Sequence, residues 1–371
     1  LIVERERARC AFVDATYWDL IGTFAVQEAG AADDQGGEFE ATLISVDGQR
    51  VPVGKDFDSA TGQLKNSELC LMDEAQAQAL VERLQGTEFR VASLENRPYT
   101  TKPAAPFTTS TMQQEANRKL GFTATRTMRV AQSLYENGYI TYMRTDSTNL
   151  ASVAIDAARK LVQSEYGDDF LPDSPRSYTS KVKNAQEAHE AIRPAGDPFK
   201  LPDAIRGELS DDQFRLFELI WKRTIASQMT DARGHRITIT IEGGGAVFQV
   251  SGRTIDFAGF LRAYVEGSDD PSAELADKET ILPAMNLEQQ LHCKQLDPKS
   301  HTTQPPARYS EASLTRALEE RGIGRPSTYA AIIETIIGRD YVFKKNKALV
   351  PTWVAFSVVR LLEEHLPDLI D

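Results

Sequence analysis

The chain has 371 residues, 41% of them hydrophobic and 26% charged, with a net charge of −12. Such proportions suit a globular protein with two or three cores and exclude a disordered or fibrous chain. No apolar run approaches membrane-spanning length, and no signal-peptide pattern opens the chain. Its three cysteines (Cys10, Cys70, Cys293) are too scattered for a disulfide framework or zinc ribbon and point to a reducing compartment. The acid excess lies in residues 1–100 and 194–300, while 101–193 is mildly basic and 301–371 neutral. The last two stretches can hold a phosphate chain, although charge alone does not point to DNA.

Residues 1–9 read as the tail of a helix, and Leu1-Ile2-Val3-Glu4 as its middle, so an excised fragment is expected. From residue 10 to 101 the pattern is mostly β. Phe39 to Val46 meets Asp47-Gly48, a strong two-residue hairpin signal, and returns through Arg50 to Val53. Asp73 is placed to cap a helix whose inner face carries Ala77, Leu80, Val81 and Leu84. Gly48 to Gly54-Lys55 misses a phosphate-binding loop in both spacing and the final hydroxyl, and is a hairpin. Arg97-Pro98 through Pro106 reads as a linker.

Residues 102–229 read as mainly helical, including a helix from Asp211 to Met229. After Gly234, Ile237, Ile239 and Ile241 alternate with threonines, and Gly243-Gly244-Gly245 turns the chain back. The expected fold class is α+β and multidomain: a discontinuous β domain (10–101 and 230–300), a helical insertion (102–229), and helical segments at 1–9 and 301–371. Two stretches look alike. Each has a helix (Thr111 to Leu120; Glu311 to Glu320), a glycine turn (Gly121; Gly322), a second helix, and an aromatic entry (Tyr139; Tyr341). This is the helix-turn-helix or winged-helix pattern, with Lys344-Lys345-Asn346-Lys347 as a basic wing tip; two similar helical hairpins are the alternative. Trp18, Trp221 and Trp353 are expected in a core or interface.

One stretch carries chemistry. Between a helix stopped by Asn137-Gly138 and another capped by Ser147 or Thr148, residues 139–146 should be extended, with Tyr142, Arg144 and Asp146 on one face and Thr141, Met143 and Thr145 on the other. A phenol with a pKa of about 10 is a poor nucleophile unless a cation stabilises the phenolate, and Arg144 can do so. Spacing alone favours the plainer reading, an edge strand whose Tyr packs on the core while Arg and Asp pair at the surface.

Ile140-Thr141-Tyr142-Met143-Arg144-Thr145-Asp146-Ser147 resembles the active-site segment of type IA DNA topoisomerases, closest to bacterial topoisomerase I. The resemblance gives Tyr142 the role of nucleophile, retaining the 5′-phosphoryl end of a cut single strand, and Arg144 a place at the cleavage site. Gly324-Arg325-Pro326-Ser327-Thr328-Tyr329 matches a second family string, in which Arg325, Ser327 and Thr328 touch the DNA backbone. By itself that string is a phosphate-binding helix start or plain capping. His189-Glu190-Ala191-Ile192-Arg193-Pro194 matches a third, giving His189 and Arg193 as DNA contacts; helical spacing alone would make it a solvated face with a Glu190–Arg193 pair.

The resemblance implies an ATP-independent isomerase. Its β hinge carries the tyrosine domain, its C-terminal part grips DNA, and the whole is a cytoplasmic, nucleoid-associated monomer. It also implies Mg²⁺, held in the full-length enzyme by an N-terminal acidic domain with an Asp-x-Asp-x-Glu cluster. That cluster does not occur in this sequence, so the fragment is expected to bind no metal and to bind DNA without turnover. A non-catalytic single-strand clamp, with Tyr142 stacking on a base, is the competing class. A tyrosine recombinase is disfavoured, because this sequence shows no matching set of dispersed arginines and histidine leading to a C-terminal tyrosine.

Overall fold

A computed structural model describes residues 1–26, 37–179, 190–268 and 280–366. It is built on one antiparallel sheet. The strands are β1 (Thr16–Val26), β2 (Glu38–Val46), β3 (Gln49–Arg50), β4 (Phe89–Thr101), β5 (Ala232–Gly243), β6 (Ala246–Phe257) and β7 (Gln290–Thr302), in the order β1-β7-β4-β5-β6-β2-β3. Since β1 also pairs with β2, from Ile21 opposite Thr42 to Ala25 opposite Glu38, six strands close on themselves. Closure hides strand edges that would otherwise recruit another chain. Leu20, Leu43, Ile239 and Ile241 fill the interior with four phenylalanines. Phe24 meets Phe89 and Phe248 edge-on at 5.3 and 5.4 Å, each contact worth about 0.5–1.5 kcal/mol beyond its buried area.

The local signals act as expected in this region. Asp47 and Gly48 take φ of 49° and 82°, the left-handed pair that a two-residue hairpin needs. Asp73 caps α2 (Glu74–Leu84) by accepting the Gln76 N–H at 2.8 Å, and Ala77, Leu80 and Leu84 close the core.

Two ribbons leave the closed end. β4 meets β7 only at Phe89 and Arg90, and β6 meets β2 only from Ala246 to Gln249. Beyond these points β4, β5 and β6 run on as three strands to residues 101, 232 and 257, while β1 and β7 run on as two, to residues 16 and 302. The expected linker at Arg97-Pro98 is therefore the last third of β4, paired from Arg97 opposite Arg236 to Thr101 opposite Ala232. Proline is tolerated because β4 has no second neighbour there among the described strands, so its missing N–H faces no partner.

Each ribbon leads to helices. The first group holds α3 (Thr109–Glu115), its π-helical continuation Ala116–Leu120, α4 (Ala124–Glu136), α5 (Ser152–Tyr166), α6 (Pro202–Ile205) and α7 (Asp211–Ser227). They surround Phe107, Met112, Leu134, Ile140, Phe217 and Ile220. The second group holds α1 (Ile2–Cys10), α8 (Glu311–Glu320), α9 (Tyr329–Gly338), the hairpin β8 (Val342–Lys345) and β9 (Ala348–Pro351), and α10 (Trp353–His365). The look-alike stretches both form helix, left-handed glycine (Gly121, φ 68°; Gly322, φ 70°) and helix. They also pack like on like, α8 against α3 and α9 against α4. Only the second has a β hairpin; Lys345, Asn346 and Lys347 are exposed at its tip, whereas Lys344 pairs with Glu311. Trp221 is buried and Trp18 packs partly on the sheet core, but Trp353 is 87% exposed.

Candidate active site

Tyr142 sits in a segment held from below. The Thr109 hydroxyl donates to the Met143 carbonyl at 2.7 Å, and the Thr109 N–H to the Thr145 carbonyl at 2.9 Å; the Thr145 N–H donates back to the same hydroxyl at 2.8 Å. Side chains alternate as a period of two requires: Met143, Thr145 and Ser147 are buried, whereas Tyr142 is 44% exposed and Arg144 and Asp146 are half-buried. Regular strand pairing is limited to one bridge, Ile140 with Pro194, so the α3 N-terminus does the holding that a ladder would do. The next helix starts later than its sequence suggests. α5 begins at Ser152, Ala151 is its cap residue, and the Ala151 N–H donates to the Glu190 carboxylate at 2.8 Å. Ser147 and Thr145 instead use their hydroxyls to turn the chain between them.

The segment holds two tyrosines, Tyr139 and Tyr142, and their surroundings differ. The Tyr139 hydroxyl donates to Glu208 at 2.7 Å, and this bond to an acceptor pushes its pKa up, away from phenolate. The Tyr142 hydroxyl has no hydrogen-bond partner among the described residues, and its ring stands edge-on to Tyr135 at 5.3 Å.

Arg144 joins two motifs that lie far apart in the chain. Its guanidinium donates to the Ser327 carbonyl at 2.9 Å. The turn that presents Ser327 is tied by Thr328, whose hydroxyl accepts the Arg325 N–H at 2.8 Å and donates to the Arg325 carbonyl at 3.1 Å. Gly324 takes φ of 81°, and a side chain there would press on Ile332 and Thr328 at 3.0 Å. Arg325, Ser327 and Thr328 are all exposed just ahead of α9, with the Arg325 guanidinium resting on the Gly324 carbonyl at 2.8 Å. The helix-start geometry is present, but the Thr328 side chain braces the turn and makes no cap.

Of the third motif, His189 lies outside the described residues. Arg193 is not on a helix: Ile192 and Pro194 make bridges to Phe107 and Ile140, and the Arg193 backbone exchanges hydrogen bonds with Thr141. Its guanidinium grips Glu190 with two bonds, at 2.8 and 3.0 Å. The charge is thus already matched, and Glu190 in turn holds Ala151.

Sequence reasoning passed over an acidic contact between α3 and α8. Ser110 on α3 donates to Glu319 on α8 at 2.7 Å, and Gln114 donates to Ser110 at 3.0 Å. Burial pushes the Glu319 carboxyl above its ordinary range, with Glu320 and Asp146 adding to the rise and Ser110 and Arg316 opposing it. Burial and Glu319 likewise push Tyr329 up to about 12. No local pattern marks Glu319, because its partners come from another helix and from the tyrosine segment.

Among the described residues no group of three or more His, Cys, Asp or Glu side chains could hold a metal ion, and no helix is long and apolar enough to cross a membrane.

Comparison with known proteins finds relatives over the whole chain. A family model described as DNA topoisomerase covers residues 1–371. DNA topoisomerase 1 of Streptomyces coelicolor is 57% identical over the whole chain, which spans 39% of that relative. The corresponding proteins of Synechococcus elongatus and Mycobacterium tuberculosis are each 54% identical over the whole chain, which spans 41% and 40% of their lengths. The chain thus covers about two fifths of these curated relatives. Full-length topoisomerase I from Thermotoga maritima superposes with a TM-score of 0.72 at 28% identity, over 99% of this chain and 54% of that one. With a family model matched over its whole length and relatives more than half identical to it, the chain belongs to the bacterial type IA DNA topoisomerase family.

Proposed function

We propose that this chain supplies the nucleophile and part of the DNA grip of an enzyme that cuts and reseals single-stranded DNA, and so relaxes negative supercoils. The Tyr142 hydroxyl gives up its proton as its oxygen attacks the phosphorus of a phosphodiester, so that overall one proton passes from the phenol to the leaving 3′-oxygen. The new Tyr–O–P bond forms as the P–O3′ bond breaks, leaving the 5′-phosphoryl end on the protein and a free 3′-hydroxyl once that oxygen takes up a proton. Resealing reverses the exchange. The bond energy is stored in the phosphotyrosine, so ATP is not needed. The observation that carries this reading is an exposed tyrosine hydroxyl without a partner among the described residues, two positions from an arginine that also reaches the Ser327 turn. Arg144 can neutralise charge on the attacked phosphate, and Arg325 with the hydroxyls of Ser327 and Thr328 can hold the flanking backbone.

The domain reading follows the ribbons. Residues 10–101 with 230–300 serve as the hinge, 102–229 carry the tyrosine, and 1–9 with 301–371 grip DNA. Contacts run from the closed sheet through each ribbon to a helical group, and the groups meet where Arg144 touches Ser327 and Ser110 touches Glu319. Parting them there would open a ring. Family chemistry calls for Mg²⁺, but the described residues offer no ligand set for it, so no step here is assigned to the metal. The protein is expected to work as a monomer on DNA in the cytoplasm, and this chain alone to bind DNA without turnover.

The Tyr135–Tyr142 pair also suits a non-catalytic clamp in which a base stacks on the exposed rings. The test is to trap the adduct in the full-length protein with Mg²⁺ and map the DNA-linked peptide. Modified Tyr142 supports cleavage, modified Tyr139 refutes the assignment, and no adduct leaves the clamp. A separate expectation concerns grip. Arg325→Ala should weaken single-strand binding with little sequence dependence and lower the salt slope by about 0.7. An unchanged slope in fluorescence-anisotropy titrations would reduce the turn to a structural brace.

A further inference from the structure

The three-stranded ribbon carries a feature that the tyrosine chemistry does not use. Pairing sets Arg97 opposite Arg236, and Arg236 opposite Arg253, so three arginines stand in one row across β4, β5 and β6. Paired residues of neighbouring strands share a face, and like charges in directly opposed positions destabilise a sheet. The row lies outside the apolar core. The packing isoleucines Ile237, Ile239 and Ile241 alternate with it and point to the other face, toward the core. Arg97 and Arg236 are exposed, and Arg236 has no ion-pair partner among the described residues. Arg97 pairs with Glu95 at 2.8 Å, but both side chains are exposed, so the pair contributes little.

The surroundings fit a phosphate chain. Arg253 lies over the Tyr99 ring at 4.5 Å, which fixes its guanidinium at one end of the row. Tyr99 occupies the space that a side chain at Gly234 would fill, 2.8 Å from its hydroxyl. The next row on the same face sets Thr238 opposite Ser251, adding two hydroxyls beside the arginines. Arg97, Arg236, Arg253, Tyr99 and Thr238 line an open cleft of about 540 Å³, together with Glu95, which pairs with Arg97 and stands opposite Thr238. The row spans two interstrand spacings, about 10 Å, which is longer than a single phosphate and suits successive phosphates of a backbone.

We propose that this ribbon face is an accessory site for the phosphodiester backbone of a DNA duplex, separate from the strand held at Tyr142. The choice of DNA rests on the function proposed above.

The test titrates this chain with a short blunt-ended duplex and, separately, with a short oligothymidine, at several salt concentrations. Arg97→Ala/Arg236→Ala should weaken duplex binding about tenfold and lower its salt slope by about 0.9 per arginine, leaving oligothymidine unchanged. Arg236→Lys should keep the slope. Both positions are exposed, so a thermal melt close to that of the parent chain is expected alongside. Unchanged duplex affinity and slope, or no duplex binding by the parent chain, would overturn the site. Equal losses for both probes would mean one continuous groove and would overturn its separateness. Arginine-dependent duplex binding by a chain that ignores oligothymidine would sustain this site while counting against the single-strand reading of Tyr142.

Discussion

Replacement of Tyr142 by phenylalanine is expected to abolish covalent attachment to DNA in the full-length protein while leaving DNA affinity almost unchanged. Only a hydroxyl is lost, and among the described residues that hydroxyl makes no bond whose removal would disturb the fold. The ring, its edge contact with Tyr135 and any stacking on a base all survive. Arg144→Ala keeps the nucleophile but should slow cleavage by about 10²–10³-fold, the scale for removing one donor from a transition state. It also removes the 2.9 Å bond to the Ser327 carbonyl, so binding should weaken as well. Lysine at 144 should recover part of the rate through its charge, without the forked geometry. Single-turnover cleavage and affinity measured on the same variants separate the two effects. An adduct that persists in Tyr142→Phe, or full-rate cleavage in Arg144→Ala, would sink the mechanism.

The largest expected loss of stability lies away from the tyrosine. Glu115, at the end of α3, is 2% exposed. It accepts the Tyr264 hydroxyl at 2.5 Å and the Gly267 N–H at 3.0 Å, with Lys119 and Arg118 each 3.3 Å away. Burial works to raise its pKa, but these donors and cations outweigh burial and hold the carboxyl below its ordinary value. Lys119 in turn lies over the Tyr264 ring at 3.7 Å. The cluster joins the π-helical turn after α3 to the chain that follows β6. Glu115→Ala would leave the buried Tyr264 hydroxyl without its acceptor and take the carboxylate away from Lys119 and Arg118, which keep their bonds to the Val265 carbonyl and to Gln114, at a cost of about 3–5 kcal/mol. Glu115→Gln should cost less, since it can still accept the Tyr264 bond.

The pH dependence has a definite sign. A carboxyl whose folded pKa is lowered adds stability above its unfolded pKa, about 4.3, and that contribution is lost as pH falls through the folded value. Parent and Glu115→Gln proteins should therefore differ most in denaturant midpoint near neutrality and converge in acid. Equal midpoints at neutral pH would show that the charge contributes nothing.

How much could be read in advance varied with the distance over which each feature is decided. The Asp47-Gly48 hairpin and the Asp73 cap depend on sterics and hydrogen bonds within a few residues, and both formed as their sequences suggest. Alternation around Tyr142 was equally legible, because it needs only an extended backbone. The Ser147 or Thr148 cap failed for a tertiary reason: Glu190, from a distant stretch, reaches the Ala151 N–H and sets the start of α5. Pro98 resembled a linker because proline cannot donate to a ladder, yet a strand with one neighbour leaves that side empty.

By itself the sequence determined the family, through three strings of specific residues, and the local turns and caps, whose energies are decided by near neighbours. Only the tertiary structure decided which of those residues meet. Arg144 reaches Ser327, Arg193 is neutralised by Glu190, and Tyr139 is occupied by Glu208 while Tyr142 is left open. The arginine row was invisible for the same reason. Arg97, Arg236 and Arg253 are ordinary surface residues in the chain, and strand register, set by which faces bury the isoleucines, is what puts them side by side.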